Sequence, residues 1–386
     1  MCYLIYVLVV NMKYRSYSDF QDLNFVNFTD SQIRIMSSYY DQLKVIEDQP
    51  LIEEYFNVIY TPYEHIKNTS RFTGALYDED GEVIQLSRLK REKNDMGLEK
   101  INILKDLDYL DKNVLYLGHF IGHYGHFILE SMARLWSLNT HLDLGREFDY
   151  FLIHLDQEKN LKKNNSFMVN ILSILNIPLE KLLYFTHPIK IKSVTIPQGS
   201  FSLKNYAFTA YKNFQSILAS KIESTETEQP LYFSRSKLKE SFQDYKGEEK
   251  LEKLLIKHNC NIVYPETISV EEQIRLINKH KIIIAMTGSA LHNICFGLKP
   301  KKIVINIANE ENFVPQKEQP LPRGTNYILL DQCCETRSYY VNSLKIDFKQ
   351  KMLQKIGKKV PLQLFSQKPV YDLDVQMISN WLNSFL

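Results

Sequence analysis

The sequence lacks an excess of charge of either sign, and this absence limits the partners that it can recognise. The chain has 386 residues, with 47 Lys and Arg against 45 Asp and Glu, so its formal net charge is +2. Proteins that bind nucleic acid or an anionic membrane through their overall charge carry a clear basic excess. We therefore expect no nucleic-acid partner.

Paired cysteine motifs are also absent. The chain has 5 cysteines, which are scattered and form no C-x-x-C pair. A disulfide framework needs an even set of cysteines, and a structural zinc site needs closely spaced ligands. The cysteine pattern therefore argues against a disulfide framework and a structural zinc site, and it fits a reducing compartment, which predicts a cytoplasmic protein.

No apolar run reaches the roughly 20 residues that a membrane-spanning helix needs. The segment from Cys2 to Val10 is uninterrupted and apolar, but it has only nine residues and lacks the basic start of a signal peptide. Its Tyr, Ile and Val content predicts a buried β-strand. The alternative is the remnant of a membrane anchor that a start site placed too far downstream has shortened.

The length predicts two or three domains, at about 150 residues for each domain. The best boundary is the polar and acidic stretch IESTETEQ, which Pro230 closes. We therefore predict domains over residues 1–220 and 221–345, followed by a helical tail over 346–386. In that tail, an amphipathic helix over 375–386 is expected to pack back onto the molecule.

The second domain shows a regular alternation of strands and helices. Strands are predicted at 231–234, 261–264, 281–286 and 302–307, and helices at 248–257, 270–279 and 290–296. The apolar strands are too continuous for a sheet with one solvated face, which predicts a parallel sheet that helices cover on both sides. The first domain is predicted to contain a hairpin over 73–88, strands at 114–117, 148–154 and 191–196, and helices at 126–138 and 166–175.

The first candidate site lies in the stretch GHYGHFILESMARLW. His126, Glu130 and Arg134 follow one another at intervals of four residues, so a helix would carry all three on one face beside a glycine-rich loop. A structural alternative pairs Glu130 with Arg134 as an ion pair that stiffens the helix. A metal site that also uses His119 and His123 is disfavoured, because the glycines break the helical register and H-E-x-x-H is absent.

The second candidate site is the stretch from Met286 to Asn293, which follows an apolar strand and opens a helix. Gly288, Ser289 and Ala290 would present free N–H groups to a phosphate. A plain helix start, capped by a side-chain hydroxyl, is the alternative. A nucleophile elbow is excluded because the sequence is not G-x-S-x-G.

The third candidate site is the strand end Tyr232 to Lys237. Arg235 and Lys237 would lie at the carboxyl end of the first strand of the second domain, where ligands bind in open α/β sheets. Two cations at this position suit a pyrophosphate. A solvated strand end is the alternative.

Together, these three segments resemble the family 61 glycosyltransferases, a group that includes capsular polysaccharide biosynthesis proteins. HYGHFILESMARLW is similar to the family's H-[WF]-x-x-E-x-x-x-R segment, and YFSRSK to its Ser-Arg strand end. The stretch NIVYPETISVEEQIRLINKHKIIIAMTGSALHNICFG resembles its Pro-Glu, Glu-Gln-Ile and Gly-x-x-x-x-Asn-x-x-Phe block. The resemblance covers roughly residues 114 to 308.

The resemblance implies a GT-B architecture of two Rossmann-like domains with parallel sheets that face a cleft. It also implies an inverting transfer from a nucleotide-sugar, most readily a UDP-sugar, to a saccharide acceptor of surface polysaccharide. No metal or other cofactor is expected, and a lipid-linked acceptor would bring the cytoplasmic protein to the inner face of the membrane. The first domain would then take the acceptor and the second the donor. A non-catalytic carbohydrate-binding protein with this fold is the alternative.

The expected site residues follow from the three segments and the resemblance. His126 or Glu130 is expected to be the catalytic base, with Glu130 the more indispensable and His126 touching the donor or acceptor. The substrate-binding residues are expected to be Arg134, Arg235, Lys237, Glu266, Gly288, Ser289, Ala290, His292 and Asn293. The chain departs from the family at Thr287-Gly288-Ser289, where many members have His-Gly-Ala. The family's acidic position after the Ser-Arg strand is matched loosely, by Glu248 or Glu249.

Overall fold

The computed structural model describes residues 13–20, 22–64, 72–91, 96–102, 106–139, 147–155, 167–238, 244–315, 321–346 and 370–385. The strand predicted from Cys2 to Val10 lies outside these ranges. The described residues form a mixed α/β fold with parallel sheets and helices.

The structure contains short and long strands along the whole chain. In chain order they are β1 (Tyr14–Ser16), β2 (Leu23–Val26), β3 (Lys44–Ile46), β4 (Ile52–Tyr60), β5 (Leu76–Tyr77), β6 (Tyr109–Phe120), β7 (Tyr150–Leu155), β8 (Leu182–Leu183), β9 (Ile189–Pro197), β10 (Phe201–Ser202), β11 (Tyr206–Phe208), β12 (Leu231–Phe233), β13 (Asp244–Lys246), β14 (Asn261–Val263), β15 (Ile282–Met286), β16 (Ile303–Ala308), β17 (Arg337–Asn342), β18 (Leu344–Ile346) and β19 (Val370–Leu373). The longer α-helices are α1 (Asp30–Tyr40), α2 (Phe167–Ile174), α3 (Thr209–Ser220), α4 (Glu248–Lys257), α5 (Val270–Lys279), α6 (Thr325–Cys333) and α7 (Val375–Phe385).

The chain divides into two compact units. Among the described residues, unit 1 is drawn from Met1–Phe20, Tyr40–Ile222 and Gln332–Cys334, and unit 2 from Gln21–Tyr39, Glu223–Asp331 and Glu335–Leu386. The segment that contains β2 was assigned to the first domain from the sequence, but it contributes to unit 2. The reason is that β2 pairs in parallel with β17, at the edge of the sheet of unit 2.

Unit 1 is built on a six-stranded mixed sheet in the order β5-β4-β9-β6-β7-β8. Strand β6 pairs in parallel with β9 and β7, whereas β4 is antiparallel to β9 and β5. The C-terminal half of β6 is buried from Val114 to Phe120. This half of the strand leads directly into the first candidate site. A smaller sheet in the order β1-β3-β11-β10 completes the strands described for unit 1.

Unit 2 is built on a six-stranded sheet in the order β14-β12-β15-β16-β17-β2, in which all neighbouring strands are parallel. Its apolar side chains pack with those of α4 and α7 in one core. Within α7, Ile378 and Leu382 are buried, and Trp381 lies against Tyr339 with ring centroids 5.7 Å apart. The C-terminal helix therefore packs onto the sheet of unit 2.

Most of the predicted elements are confirmed. Helices α4 and α5 have the predicted bounds, and the hydroxyl of Ser269 caps α5 by accepting the N–H of Glu272. The hairpin predicted over 73–88 is shorter than expected. Tyr77 bridges Val83 around a turn at Gly81, whose φ is +76°, but the chain then turns into a 3-10 helix at Gln85–Ser87.

No helix within the described ranges is both long enough and apolar enough to cross a membrane.

Candidate functional site

The first candidate site follows strand β6 in unit 1. Its helical segment is α-helical over Tyr124–His126, π-helical over Phe127–Ser131 and 3-10 over Met132–Arg134. The hydroxyl of Ser131 accepts the N–H of Ile121 at 3.0 Å, which ties this segment to the loop after β6. The regular α-helix predicted over 126–138 is therefore wrong. π-Helical turns of this kind occur often at functional sites.

His126 and Glu130 form the predicted pair one turn apart. The Nδ1 atom of His126 lies 2.5 Å from Oε2 of Glu130. The Glu130 side chain is 1% exposed, whereas that of His126 is 41% exposed. The carboxylate therefore lies beneath the imidazole, and the imidazole is the member of the pair that solvent or a substrate can reach.

Arg91, which the sequence did not single out, also binds the Glu130 carboxylate. Arg91 donates from Nε to Oε1 of Glu130 at 2.6 Å and from Nη2 to Oε2 at 2.8 Å. Such bidentate pairing fixes a carboxylate in orientation as well as in charge. Arg91 lies in a Lys- and Arg-rich stretch, LKREK, that reads as ordinary solvated surface. No local pattern distinguishes it.

The surroundings of Glu130 favour its ionised form. Burial acts to raise the pKa of Glu130, but the hydrogen bonds from His126 and Arg91 outweigh burial and lower the pKa. An ionised carboxylate only accepts hydrogen bonds, so Nδ1 of His126 carries the proton of their bond and Nε2 of a neutral ring carries the lone pair. Among the described residues, no hydrogen bond engages this Nε2 atom.

Arg134 does not join the predicted ladder. Its guanidinium is buried and donates to the carbonyl oxygens of Pro197 and Arg88, and it lies 5.3 Å from the ring centroid of Tyr116. The predicted ladder needs a regular α-helical register, whereas this segment is π-helical over Phe127–Ser131 and 3-10 over Met132–Arg134. The structural alternative of a Glu130–Arg134 ion pair is wrong as well, because Glu130 pairs with Arg91.

The remaining histidines near this segment have different surroundings. His119 is buried in the core, where its ring stacks on that of His154 at 4.6 Å and its Nε2 donates to the carbonyl of Gly74. Burial lowers the pKa of His119 well below its usual range. His119 is therefore a core histidine whose ring is hydrogen-bonded within the fold. His123 lies closer to the site, with its ring 5.2 Å from that of His126.

The second and third candidate sites lie in unit 2, at the carboxyl ends of β12 and β15. After β12, the N–H of Arg235 donates to Oε1 of Glu248 at 2.7 Å, and the hydroxyl of Tyr232 donates to the same atom at 2.9 Å. Burial raises the pKa of Glu248. Of the two acidic residues considered from the sequence, Glu248 is thus the one that contacts the Ser-Arg strand end.

The guanidinium of Arg235 reaches the loop after β15. Its Nη1 lies 3.4 Å from the carbonyl oxygen of Thr287, and a Cβ atom on Gly288 would lie 2.8 Å from the same nitrogen. The guanidinium also lies 5.0 Å from the ring centroid of Tyr245. In the part of the chain that the structure describes, no carboxylate pairs with it. Among the described residues, most of its donors therefore have no acceptor.

The helix predicted over 290–296 is present as a 3-10 helix over Ser289–Phe296. The first N–H groups of such a helix have no partner within it. The hydroxyl cap of the structural alternative is absent, and the Thr287 hydroxyl donates instead to Oδ1 of Asn306 at 2.6 Å. Ser289 and Ala290 are half-buried beside Gly288.

The other predicted binding residues have varied environments. Lys237 is exposed, with Nζ 3.7 Å from the ring centroid of Tyr264, and Glu266 is exposed in the turn after β14. His292 lies 5.0 Å from the ring of Tyr327. Asn293 is fully buried and donates to Oε1 of Gln273 at 2.6 Å, so it connects this helix to α5. The structure brings Arg235 and Gly288 together most closely.

A search of the described residues finds no cluster of three or more His, Cys, Asp or Glu side chains that could hold a metal ion.

Comparison with protein families covers the candidate residues of both units. Residues 124–305 match the family model of glycosyltransferase 61. The resemblance seen in the sequence is therefore confirmed over this stretch, and the match indicates a glycosyltransferase. It includes His126, Glu130, Arg235 and Gly288 of the candidate sites, whereas Arg91 lies before it. Comparison with curated proteins finds no match.

Proposed function

We propose that the protein is an inverting glycosyltransferase that moves a sugar from a nucleotide-sugar to a saccharide acceptor of surface polysaccharide. The match to glycosyltransferase 61 over residues 124–305 supports the transfer reaction. We further propose a GT-B arrangement, with the nucleotide bound by unit 2 and the base supplied by unit 1. A UDP-sugar is the preferred donor, and a lipid-linked acceptor would bring a cytoplasmic enzyme to the inner face of the membrane.

The observation that carries the proposed donor site is the partly buried Arg235 guanidinium beside Gly288. An arginine at the carboxyl end of a parallel strand, with donors that no carboxylate occupies in the described residues, suits a diphosphate. The N–H groups of Ser289 and Ala290 would add donors to the same anion. In this proposal, Arg235, Lys237 and these N–H groups stabilise the charge on the departing nucleoside diphosphate without a metal.

The proposed base is His126. Inversion requires a base that removes the proton of the acceptor hydroxyl as the nucleoside diphosphate leaves. His126 is the accessible member of its pair, and its Nδ1 is held by Glu130 so that Nε2 can accept the proton. Glu130 then orients the imidazole and stabilises the imidazolium that forms, in the manner of the acid of a catalytic triad. Glu130 is indispensable in this role although it does not touch the acceptor.

Donor binding is tested by thermal-shift screening of UDP-, GDP-, CMP- and TDP-sugars, followed by calorimetry with the one that stabilises most. Arg235→Ala should weaken binding by about 1.5–3 kcal/mol, the scale of a hydrogen bond to a charged group. Arg275→Ala is the matched control, because Arg275 is half-buried like Arg235 but is paired with Glu271 and Glu272 on α5. Unchanged affinity in Arg235→Ala would remove Arg235 from the donor site. Binding of oligosaccharide with no nucleotide binding would favour a non-catalytic carbohydrate-binding protein.

Transfer is tested with the same donor. His126→Ala and Glu130→Gln should each lower turnover by about two to four decades, the usual contribution of a general base. His187→Ala is the control, since His187 is an exposed histidine of unit 1 that lies near Asp108. Near-normal turnover in both folded variants would exclude the pair from catalysis.

A further inference from the structure

The contact between Arg91 and Glu130 has a consequence for the chemistry of His126. Glu130 is buried, and both of its oxygens accept hydrogen bonds from the Arg91 guanidinium. Removing one partner of a buried ion pair leaves an uncompensated charge, which is strongly unfavourable. Some positive charge must therefore accompany the Glu130 carboxylate whenever it is ionised.

Among the described residues, two groups contact this carboxylate, and they differ in whether their positive charge is compatible with a neutral base. Arg91 is a permanent cation, whereas His126 is a cation only when it holds the proton that a base must leave free. If His126 supplied the compensating charge, Nε2 would carry a proton and could not accept one. Because Arg91 supplies it, the imidazole can stay neutral above a buried carboxylate.

We infer that Arg91 is a positioning residue, which compensates and orients the Glu130 carboxylate so that His126 can act as a neutral base. The inference rests on the proposed function, in which His126 is that base. The titratable and charged groups placed against the pair are Arg91, from the loop after the 3-10 helix Gln85–Ser87, and His123, whose ring is 5.2 Å from that of His126. Arg91 also lies outside the family match, so the match does not assign it a role.

The test follows the protonation of the His126–Glu130 pair without any sugar. Diethyl pyrocarbonate acylates unprotonated imidazole. The tryptic peptide 113–134 carries His119, His123 and His126 together, so fragmentation of this peptide by tandem mass spectrometry locates the modification on His126. The pH at which His126 reacts at half its maximal rate is compared among wild type, Arg91→Gln, Arg91→Lys and the unit 2 control Arg275→Gln. Circular dichroism verifies that each variant is folded.

We expect the half-reaction pH of Arg91→Gln to rise by about one pH unit or more, the scale of the effect that a neighbouring opposite charge has on a carboxylate. Arg91→Lys keeps the charge but loses the bidentate contact, so its value should lie between those of wild type and Arg91→Gln. Arg275→Gln should match wild type. An unchanged half-reaction pH in Arg91→Gln would overturn the inference.

A second comparison covers the case in which Arg91→Gln does not fold. In Glu130→Gln the carboxylate charge is already gone, so adding Arg91→Gln should leave the half-reaction pH where Glu130→Gln places it. A further shift in the double variant would show that Arg91 acts on His126 by another route and would contradict the inference. Because the assay needs no donor sugar, the two claims fail separately. Absence of glycosyl transfer by the wild-type protein would refute the proposed function, and absence of coupling between Arg91 and His126 would refute the role of Arg91.

Discussion

Replacing Glu248 with alanine should disturb the strand end that carries Arg235. In the native protein, Oε1 of Glu248 accepts the N–H of Arg235 at 2.7 Å, the hydroxyl of Tyr232 at 2.9 Å and the hydroxyl of Ser234 at 3.2 Å. Ser234 has a second acceptor in Glu252, at 2.5 Å, and so keeps a partner. The substitution therefore leaves two donors, the Arg235 N–H and the fully buried Tyr232 hydroxyl, without this acceptor.

The magnitude follows from these two donors. Each buried donor that loses its acceptor costs about 1–3 kcal/mol, and the removal of a buried carboxylate returns part of that cost. We expect Glu248→Ala to lower the free energy of unfolding by about 2–4 kcal/mol. Glu249→Ala is the matched control. Because the side chain of Glu249 is exposed, its removal should change stability by no more than about 0.5 kcal/mol. Nucleotide affinity should fall in Glu248→Ala but not in Glu249→Ala, because only Glu248 holds the backbone of Arg235.

The assay is urea denaturation followed by the fluorescence of Trp381, in a Trp136→Phe background so that the signal reports on unit 2.

The pH dependence of stability gives an independent check. Burial raises the pKa of Glu248 above its ordinary value of 4.5, so the folded state holds this proton to higher pH than the unfolded state. The stability contributed by Glu248 is therefore largest in acid and declines as the pH rises above about 4.5. Equal urea midpoints for the two alanine variants would refute this account of the strand end.

Three further predictions test other parts of the structure. Gly118→Ala should destabilise the protein by about 1–3 kcal/mol in a denaturant titration, because Gly118 has a φ of +89° and a Cβ there would lie 2.8 Å from Cδ of Arg134. The control Gly199→Ala should be nearly neutral, since its Cβ would meet nothing closer than 3.9 Å. Burial raises the pKa of Asp331 from 3.8 to about 6, so wild type should lose up to about 3 kcal/mol of stability as the pH rises from about 4 to 6. Asp331→Asn should lack this loss, and parallel curves of stability against pH for the two proteins would contradict the prediction. Glycosyl transfer should survive EDTA, and activity lost to EDTA and restored by Mn²⁺ would contradict the metal-free reaction.

The sequence predicted unit 2 better than unit 1, for a physical reason. Apolar strands such as β15 and amphipathic helices such as α5 leave a periodic pattern, because each buries one face or both faces over several residues. The pairing of β2 with β17 has no such signal, since it joins residues that lie more than 300 positions apart. A plain helix was predicted over 126–138 because a π-helical turn has the same local composition.

In the candidate site as well, features with a local sequence signal were predicted, and contacts between distant residues were missed. The interval of four residues between His126 and Glu130 was enough to predict their contact, and the strand-end position of Arg235 was enough to place it near Gly288. Arg91 was missed because its role depends on a loop that brings it to Glu130, 39 residues away along the chain. Arg134 was wrongly placed on the site because its carbonyl partners, Pro197 and Arg88, lie 63 and 46 residues away along the chain.

The most direct test of the central claim is NMR of the glycosyl-transfer product formed from the nucleotide-sugar that gives the largest thermal shift. The anomeric proton coupling of the product shows whether the configuration of the donor sugar is inverted. We predict an inverted product with wild type, and a transfer rate at least about 100-fold lower with folded His126→Ala. Retention of configuration, or an undiminished rate in that variant, would contradict an inverting transfer in which His126 is the base.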